Sequence, residues 1–141
     1  MAQGTTKTVD VGLLVLRVGF GIMFIVHGYP KITGGPDVWE QLGGAMGTFG
    51  ITFMPQAWGF MAAFAEFAGG ILLVLGLLVR PASLFLFITM VVAAAMHLSQ
   101  GHGLGKASHA IEAGIVFLAL IIIGGGALSA DAFFKKKGGV Q

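Results

Sequence analysis

Apolar residues fill four long stretches of this chain, and short polar segments separate them. The stretches cover residues 11–27, 57–79, 82–98 and 110–127. Each is close to the roughly 20 residues that a helix needs to cross a hydrocarbon core about 30 Å thick. The pattern therefore predicts an all-α fold, an integral membrane four-helix antiparallel bundle that forms a single domain over residues 1–141.

The first outer loop, between the first two stretches, has a helical pattern of its own. Its apolar residues recur at intervals of three and four: Trp39, Leu42, Met46 and Phe49. This spacing is typical of one face of a helix. We predict a short amphipathic helix over residues 37–49, which begins at a capping box formed by Asp37 and Glu40. The helix lies over the outer end of the bundle, either as a lid or as an interfacial anchor without a gating role.

The composition supports a membrane protein and removes several kinds of chemistry. Hydrophobic residues make up 56% of the chain and charged residues 10%, whereas a soluble domain carries about 25% charged residues. There is no cysteine, so we expect no Cys-based cofactor and no thiolate nucleophile. A cleaved signal peptide is not expected either, because Arg17 interrupts the first apolar stretch and no small-residue cleavage site follows His27.

Positive charge is distributed unequally between the two sides of the predicted bundle. Lys7, Arg80 and the lysines at 135–137 share a side with both termini, whereas Lys31 and Lys106 lie on the other side. The positive-inside bias predicts that both termini are cytoplasmic. The run of three lysines is typical of a topology signal beside a membrane span, and we expect no nucleic-acid partner.

A few ionisable residues lie inside the apolar stretches or at their edges: Arg17, His27, Glu66, His97 and Glu112. A charge in the bilayer costs about 2.5–3.5 kcal/mol even on lenient insertion scales, so each of these positions needs a reason. A rise of 1.5 Å per residue places Arg17 and Glu66 at similar depths. We therefore expect these two to pair at the floor of a polar pocket that opens outward. Its upper wall is expected to consist of His27, Lys31, His97, His109 and Glu112.

Structural roles stay open for all of these residues. The pair of Arg17 and Glu66 could simply hold the first two spans together. His27 and His97 could cap the ends of their helices, and Glu112 could be a first-turn carboxylate that the helix dipole favours.

A metal site is the weaker interpretation of the same polar end. His109 and Glu112 are three residues apart, which resembles half of a metal site. A di-iron bundle, however, draws carboxylates from all of its helices, and this chain has too few. No metal is assigned, and His102 is expected to be solvated.

Several of these segments carry a family resemblance. They are Arg17-Val-Gly-Phe-Gly-Ile-Met-Phe-Ile-Val-His27-Gly28-Tyr-Pro-Lys31, Glu66-Phe-Ala-Gly69-Gly70, Leu75-Gly-Leu-Leu-Val-Arg80, Met96-His97, Glu112 and Gly124-Gly-Gly-Ala-Leu-Ser129-Ala-Asp131. Their order and spacing resemble those of the DoxX family over nearly the whole chain. The resemblance implies a four-span protein of the bacterial plasma (inner) membrane. It also implies a protein partner in a redox complex, since founding members look like subunits of a thiosulfate:quinone oxidoreductase.

The first functional hypothesis is therefore a membrane subunit of a quinone-linked redox system, whose pocket binds quinone or a small reductant. Reduction of a quinone takes up two protons, so its site needs an apolar slot and proton-exchanging groups. The proposed catalytic residues are His27, Glu66, His97 and Glu112. The proposed cofactor-binding residues are Arg17, Phe20, Phe24, Lys31 and His109, with Phe64 and Phe67 as further apolar lining.

Two other hypotheses stay open at this point. The protein could be a non-catalytic scaffold or anchor for a redox or stress-response enzyme, with its amphipathic helix or basic tail as the docking surface. It could also bind or transport a small solute or protons through the outer pocket. Glycine-rich helix faces suit a homo-oligomer as well as packing inside one bundle.

Overall fold

The structure is a computed structural model that describes residues 2–138, with side chains from residue 6 onward, and it confirms the four-helix membrane fold. The α-helices are α1 (Ala2–Thr33), α2 (Pro36–Gly43), α3 (Pro55–Leu75), α4 (Val79–Ser99), α5 (Gly103–Ile123) and α6 (Ala130–Gly138), and a 3-10 helix (Gly44–Phe49) follows α2. The segment Thr6–Thr33 of α1 and the whole of α3, α4 and α5 are long and apolar enough to cross a membrane. Helix α6 is an element that the apolar pattern does not predict.

Helix α1 continues past the predicted end at residue 27 and includes Pro30. A proline removes one backbone hydrogen bond from a helix. Pro30 lies in the last turn of α1, so only a few helical residues follow it. The Trp39 Nε1 donates to the Lys31 carbonyl oxygen at 3.0 Å, which satisfies one of the carbonyls left free at the end of a helix. Lys31 is therefore a helical residue, not a loop residue.

The predicted amphipathic helix is present, but its start and its second half differ from the prediction. Helix α2 begins at Pro36, and no side chain caps it. The capping box of Asp37 and Glu40 is therefore wrong, because the preset φ of a proline suits the first helical position and starts the helix one residue earlier. The second half, Gly44–Phe49, narrows into the 3-10 helix.

The backbones of α1 and α3 approach each other closely at two points. A Cβ atom added at Gly28 would lie 2.5 Å from the Phe67 nitrogen, and one added at Gly21 would lie 2.7 Å from the Gly70 oxygen. Small residues permit such approaches between membrane helices. Since the helices are antiparallel, this register places the end of α1 beside the middle of α3, and it places Arg17 beside Gly76.

Charged side chains join the helix ends on the side away from α2. Both carboxylate oxygens of Asp131 accept hydrogen bonds from the first turn of α4, from Leu78 N at 2.8 Å and Val79 N at 2.9 Å. Asp10 accepts a bond from Ala127 N at 2.8 Å. These contacts attach α6 and the segment before it to the bundle, and a carboxylate at a helix N-terminus is favoured by the helix dipole.

Substitutions at two neighbouring glycines provide a test of how α2 packs on α3. A Cβ atom at Gly43 would overlap the Pro55 carbonyl oxygen, whereas one at Gly44 would meet nothing within 4 Å. We expect Gly43→Ala to lower the free energy of unfolding by about 1–3 kcal/mol, the usual cost of overpacking. Gly44→Ala should be neutral or slightly stabilising, since alanine is the better helix former. Denaturing-detergent titrations measure both, and equal effects of the two substitutions would contradict the docking.

Candidate functional site

Arg17 does not pair with Glu66, so the predicted pocket floor is wrong. The Arg17 side chain is 1% exposed. Its Nη1 donates to the carbonyl oxygens of Leu73 at 3.0 Å and Val74 at 2.9 Å, and its Nη2 donates to the carbonyl oxygen of Leu128. These acceptors belong to the last turn of α3 and to the segment before α6. Arg17 therefore closes a helix end and does not line a pocket.

The depth estimate failed because it depended on assumed helix ends and ignored the register. The acceptors of Arg17 lie seven and eight residues beyond Glu66 along α3, which is about 11 Å at 1.5 Å per residue. The crossing at Gly28 instead places the last turn of α1 near Glu66. The buried carboxylate thus meets a different cation from the one the sequence analysis chose.

Glu66 forms an ion pair with Lys31. The Lys31 Nζ lies 2.6 Å from the Glu66 Oε2, with the lysine side chain 33% exposed and the glutamate side chain 5% exposed. A short charge-assisted hydrogen bond of this kind is stronger than a neutral one. The two residues come from different spans, and the extra turn of α1 past His27 is what brings the ammonium within reach.

This ion pair lies on the wall of an apolar cavity between α2, α3 and α4. The cavity has a volume of about 510 Å³, which is in the range of small-molecule sites. Its apolar lining includes Leu42 from α2, Met46 from the 3-10 helix, Ala62 and Ala65 from α3, and Ile88 and Met96 from α4. Lys31 and Glu66 are its ionised groups. A small head group with hydrogen-bonding atoms could therefore bind here with its apolar part against the helices.

Helix α2 closes one end of this cavity. The Trp39 ring packs edge-on against Phe60 of α3, with ring centroids 5.0 Å apart, and Gln56 Nε2 donates to Glu40 Oε2 at 3.2 Å. Because Trp39 also bonds to the end of α1, α2 is held by both neighbouring spans. On the lipid side, Met61, Phe85 and other exposed apolar side chains form the rim. The cavity therefore opens toward the apolar surface of the bundle.

The phenylalanines proposed as a binding slot lie elsewhere. Phe24 is buried and packs against Phe117 of α5 at a centroid distance of 4.8 Å, and Phe20 meets the same ring at 5.9 Å. These edge-to-face contacts join α1 to α5 in the core. Neither ring lines the cavity, so the structure does not bring Phe20 and Phe24 together with Lys31 and Glu66, and their role in binding stays a prediction. Phe64 and Phe67, the further lining that the sequence analysis named, do not line it either.

The histidines form two separate pairs at the end of the bundle that carries α2. His27 and His109 have ring centroids 5.8 Å apart, and both are exposed. The Nδ1 atoms of His97 and His102 lie 3.1 Å apart, within hydrogen-bonding distance. His102 is thus a partner that the sequence analysis missed, although its position five residues after His97, across the turn between α4 and α5, places it within reach. Neither pair lines the cavity.

The polar wall predicted as one surface is divided among different helix faces. Glu112 is exposed on α5, and His27 and His109 lie at the seam of α1 and α5. Of the wall residues, Lys31 lines the cavity, and His97 lies next to Met96, which does. In the part of the chain that the structure describes, no three His, Asp or Glu side chains come together to hold a metal ion. The roles proposed for His27, His97, His109 and Glu112 in binding or catalysis stay predictions.

Comparison with known proteins identifies the family. The DoxX family model matches residues 12–98. The inner membrane protein YqjF of Escherichia coli (strain K12) is 35% identical over 136 residues, which cover 93% of this chain and 98% of that protein. A protein of Bacillus subtilis (strain 168) with the name "Putative oxidoreductase CatD" is 28% identical over 138 residues, which cover 96% and 98%. No solved structure matches the chain.

Four apolar spanning helices and an inner-membrane relative agree on location, and the spans place this protein in contact with the lipid bilayer. The family match extends from α1 through α4 and therefore includes the whole cavity between α2, α3 and α4. This chain belongs to the DoxX family and is a multi-pass protein of the bacterial inner membrane.

Proposed function

We propose that this protein is a membrane subunit of a quinone-linked redox system, and that its α2–α3–α4 cavity binds the quinone head group beside Lys31 and Glu66. The observation that supports this most is the pairing of a nearly buried carboxylate with an ammonium on the wall of an apolar cavity. A buried ion pair is a weak source of stability, because desolvation offsets much of its attraction. A role in ligand binding gives it a reason.

The residues present fit a quinone. The cavity offers apolar surface for a ring, and the Lys31 ammonium can donate a hydrogen bond to a carbonyl oxygen. Glu66 orients Lys31 and can accept or return a proton at its carboxylate. A quinone accepts two electrons and two protons when it is reduced. The electrons are supplied by a protein partner or a bound reductant. The name of the Bacillus subtilis relative, an oxidoreductase by that name, supports redox chemistry.

The proposal predicts that quinone binding depends on the ion pair. In the double variant Lys31→Met/Glu66→Met, apolar side chains of similar length replace the pair, a change that buried ion pairs often tolerate. We expect this variant to fold and to bind a tail-less quinone about 10- to 100-fold more weakly, the loss of one hydrogen bond to a charged group. Titration of the purified protein in neutral detergent, followed by intrinsic tryptophan fluorescence, measures the affinity.

Lys106→Met is the matched control, because Lys106 is exposed on the same side of the bundle and does not line the cavity. It should bind quinone as the unmodified protein does. Equal affinities in the double variant and the control would show that the quinone does not bind beside Lys31 and Glu66.

A non-catalytic membrane scaffold is the second candidate, and helix α6 favours it. Phe133 and Phe134 are exposed on α6, beside three exposed lysines at 135–137. Asp131 holds this helix against the bundle. The helix thus presents an apolar and basic surface on which a partner enzyme could dock. Two results together would support the scaffold. The unmodified protein binds no quinone, and substitution of both Phe133 and Phe134 by serine releases a partner that the unmodified protein retains.

A further inference from the structure

A second apolar groove continues from the cavity along α3 and α4. It has a volume of about 280 Å³ and runs between residues such as Phe64, Ala68 and Leu72 on α3 and Leu78 and Pro81 on α4. The two spaces share wall residues, among them Met61, Ala65 and Phe85. They are therefore adjacent spaces along one face of the bundle, together called the channel.

Small side chains create this groove. Ala65, Ala68 and Gly69 on α3 and Ala82 on α4 line it, and their small side chains leave space there. From Trp58, which lines the outer cavity, to Leu72, which lines the groove, α3 advances by about 21 Å at 1.5 Å per residue. The combined channel thus runs through most of the thickness of the hydrocarbon core.

On the basis of the proposed function, we infer that the groove holds the isoprenoid tail of a lipid-soluble quinone whose head group lies beside Lys31 and Glu66. The substrate is then a long-tailed membrane quinone and not a water-soluble one. The polar groups lie at one end of the channel and the apolar groove follows, which is the order of polarity in such a molecule.

A phospholipid fits the same channel less well. Its phosphate would lie beside Glu66, a carboxylate that is 5% exposed and already uses the nearby ammonium of Lys31. An anion at that place meets repulsion in an environment of low dielectric constant, where charge interactions are strong. A quinone head is uncharged and carries two carbonyl acceptors, so it avoids this cost.

The test compares two quinones that share a head group, one without a tail and one with four isoprene units. Both are titrated into the full-length protein in neutral detergent, and the ratio of their affinities is the measurement. Partition of the long tail into detergent raises this ratio equally for every variant, so only differences between variants are interpreted. In Ala68→Phe a ring fills the groove below the head-group site.

We expect Ala68→Phe to weaken binding of the long-tailed quinone about tenfold, because the ring occupies the place of tail atoms and removes their packing contacts with the groove walls. The tail-less quinone should bind within about twofold of its usual affinity. Ala119→Phe on α5 is the matched control, since Ala119 is also half-buried but does not line the groove. Leu72→Trp serves as a second groove variant, and size-exclusion chromatography confirms that each protein is folded.

The outcomes separate this inference from the proposed function. If the tail-less quinone binds through Lys31 and Glu66 but neither groove variant changes the affinity ratio, the tail lies elsewhere and only this inference fails. If the groove variants instead release a co-purified phospholipid with no change in the ratio, the groove holds lipid. If no quinone binds to the unmodified protein, the proposed function and this inference fail together.

Discussion

Replacing Arg17 with methionine is expected to lower the free energy of unfolding by about 3–5 kcal/mol, the cost of losing three hydrogen bonds from one buried charged donor. The guanidinium satisfies carbonyl oxygens at the end of α3 and before α6, and the charge of Asp131 adds attraction. Without it, the carbonyl oxygens of Val74 and Leu128 lose this donor, and that of Leu73 keeps its bond from Gly76 N. A denaturing-detergent titration monitored by circular dichroism measures the loss.

Arg80→Met is the matched control for Arg17→Met. Arg80 also donates to a carbonyl at a helix end, that of Ile122 at 3.1 Å, but its side chain is exposed. Exposed charged contacts contribute about 0–1 kcal/mol, so the control should be nearly as stable as the unmodified protein. Similar losses in both variants would show that burial of Arg17 is not what makes its contacts important.

Replacing Lys31 alone is expected to have the second largest effect. Lys31→Met leaves Glu66 buried without its cation, and we expect a loss of about 3 kcal/mol, at the lower end for buried pairs because Lys31 is one-third exposed. Adding Glu66→Met should restore most of this stability, since it removes the unpaired charge. A double-mutant cycle on unfolding free energies measures the coupling between the two residues.

The control for this cycle is the pair of Arg17 and Glu66, which was predicted from the sequence and is not in contact in the structure. Their substitutions should add without coupling, because the contacts of Arg17 lie about 11 Å along α3 from Glu66. Coupling between Arg17 and Glu66, together with additivity of Lys31 and Glu66, would overturn the ion pair described for this site.

The ion pair can also be tested in other members of the family. The matched region contains both Lys31 and Glu66, and the two relatives align over nearly their whole length. Stability tests of the ion pair in either relative would show whether the same lysine and glutamate positions serve them. The proposed binding of quinone applies to this chain and requires its own measurement.

Much of the architecture follows from residues taken one at a time. The number of spans, the amphipathic segment before the second span and the expectation that buried ionisable residues have partners all come from local hydropathy and spacing. The end of α1 was harder to predict, because Gly28, Tyr29 and Pro30 resemble a stop signal. The helix continues because Trp39, eight residues beyond Lys31, bonds to its last turn, a contact that local sequence does not reveal.

The candidate site depended on information that the sequence does not carry locally. Rise per residue estimates depth only if helix ends are known, and it says nothing of which way a side chain points around the helix axis. The structure shows that Glu66 faces the last turn of α1, while Phe24 faces Phe117. A prediction from depth alone therefore places the histidines, Arg17 and Glu66 in one pocket, although in the structure they lie on different helix faces.

The sequence by itself determined that this protein crosses a membrane with four helices and that a carboxylate lies within the second span, because transfer free energies act residue by residue along the chain. The tertiary structure alone decided that Lys31, and not Arg17, is the partner of that carboxylate, and that the cavity lies between α2, α3 and α4. The physical reason is the contact of α1 with α3 at Gly21 and Gly28. Packing between segments that are about 40 to 50 residues apart in the sequence sets the register and rotation of the helices, and these determine which polar groups meet.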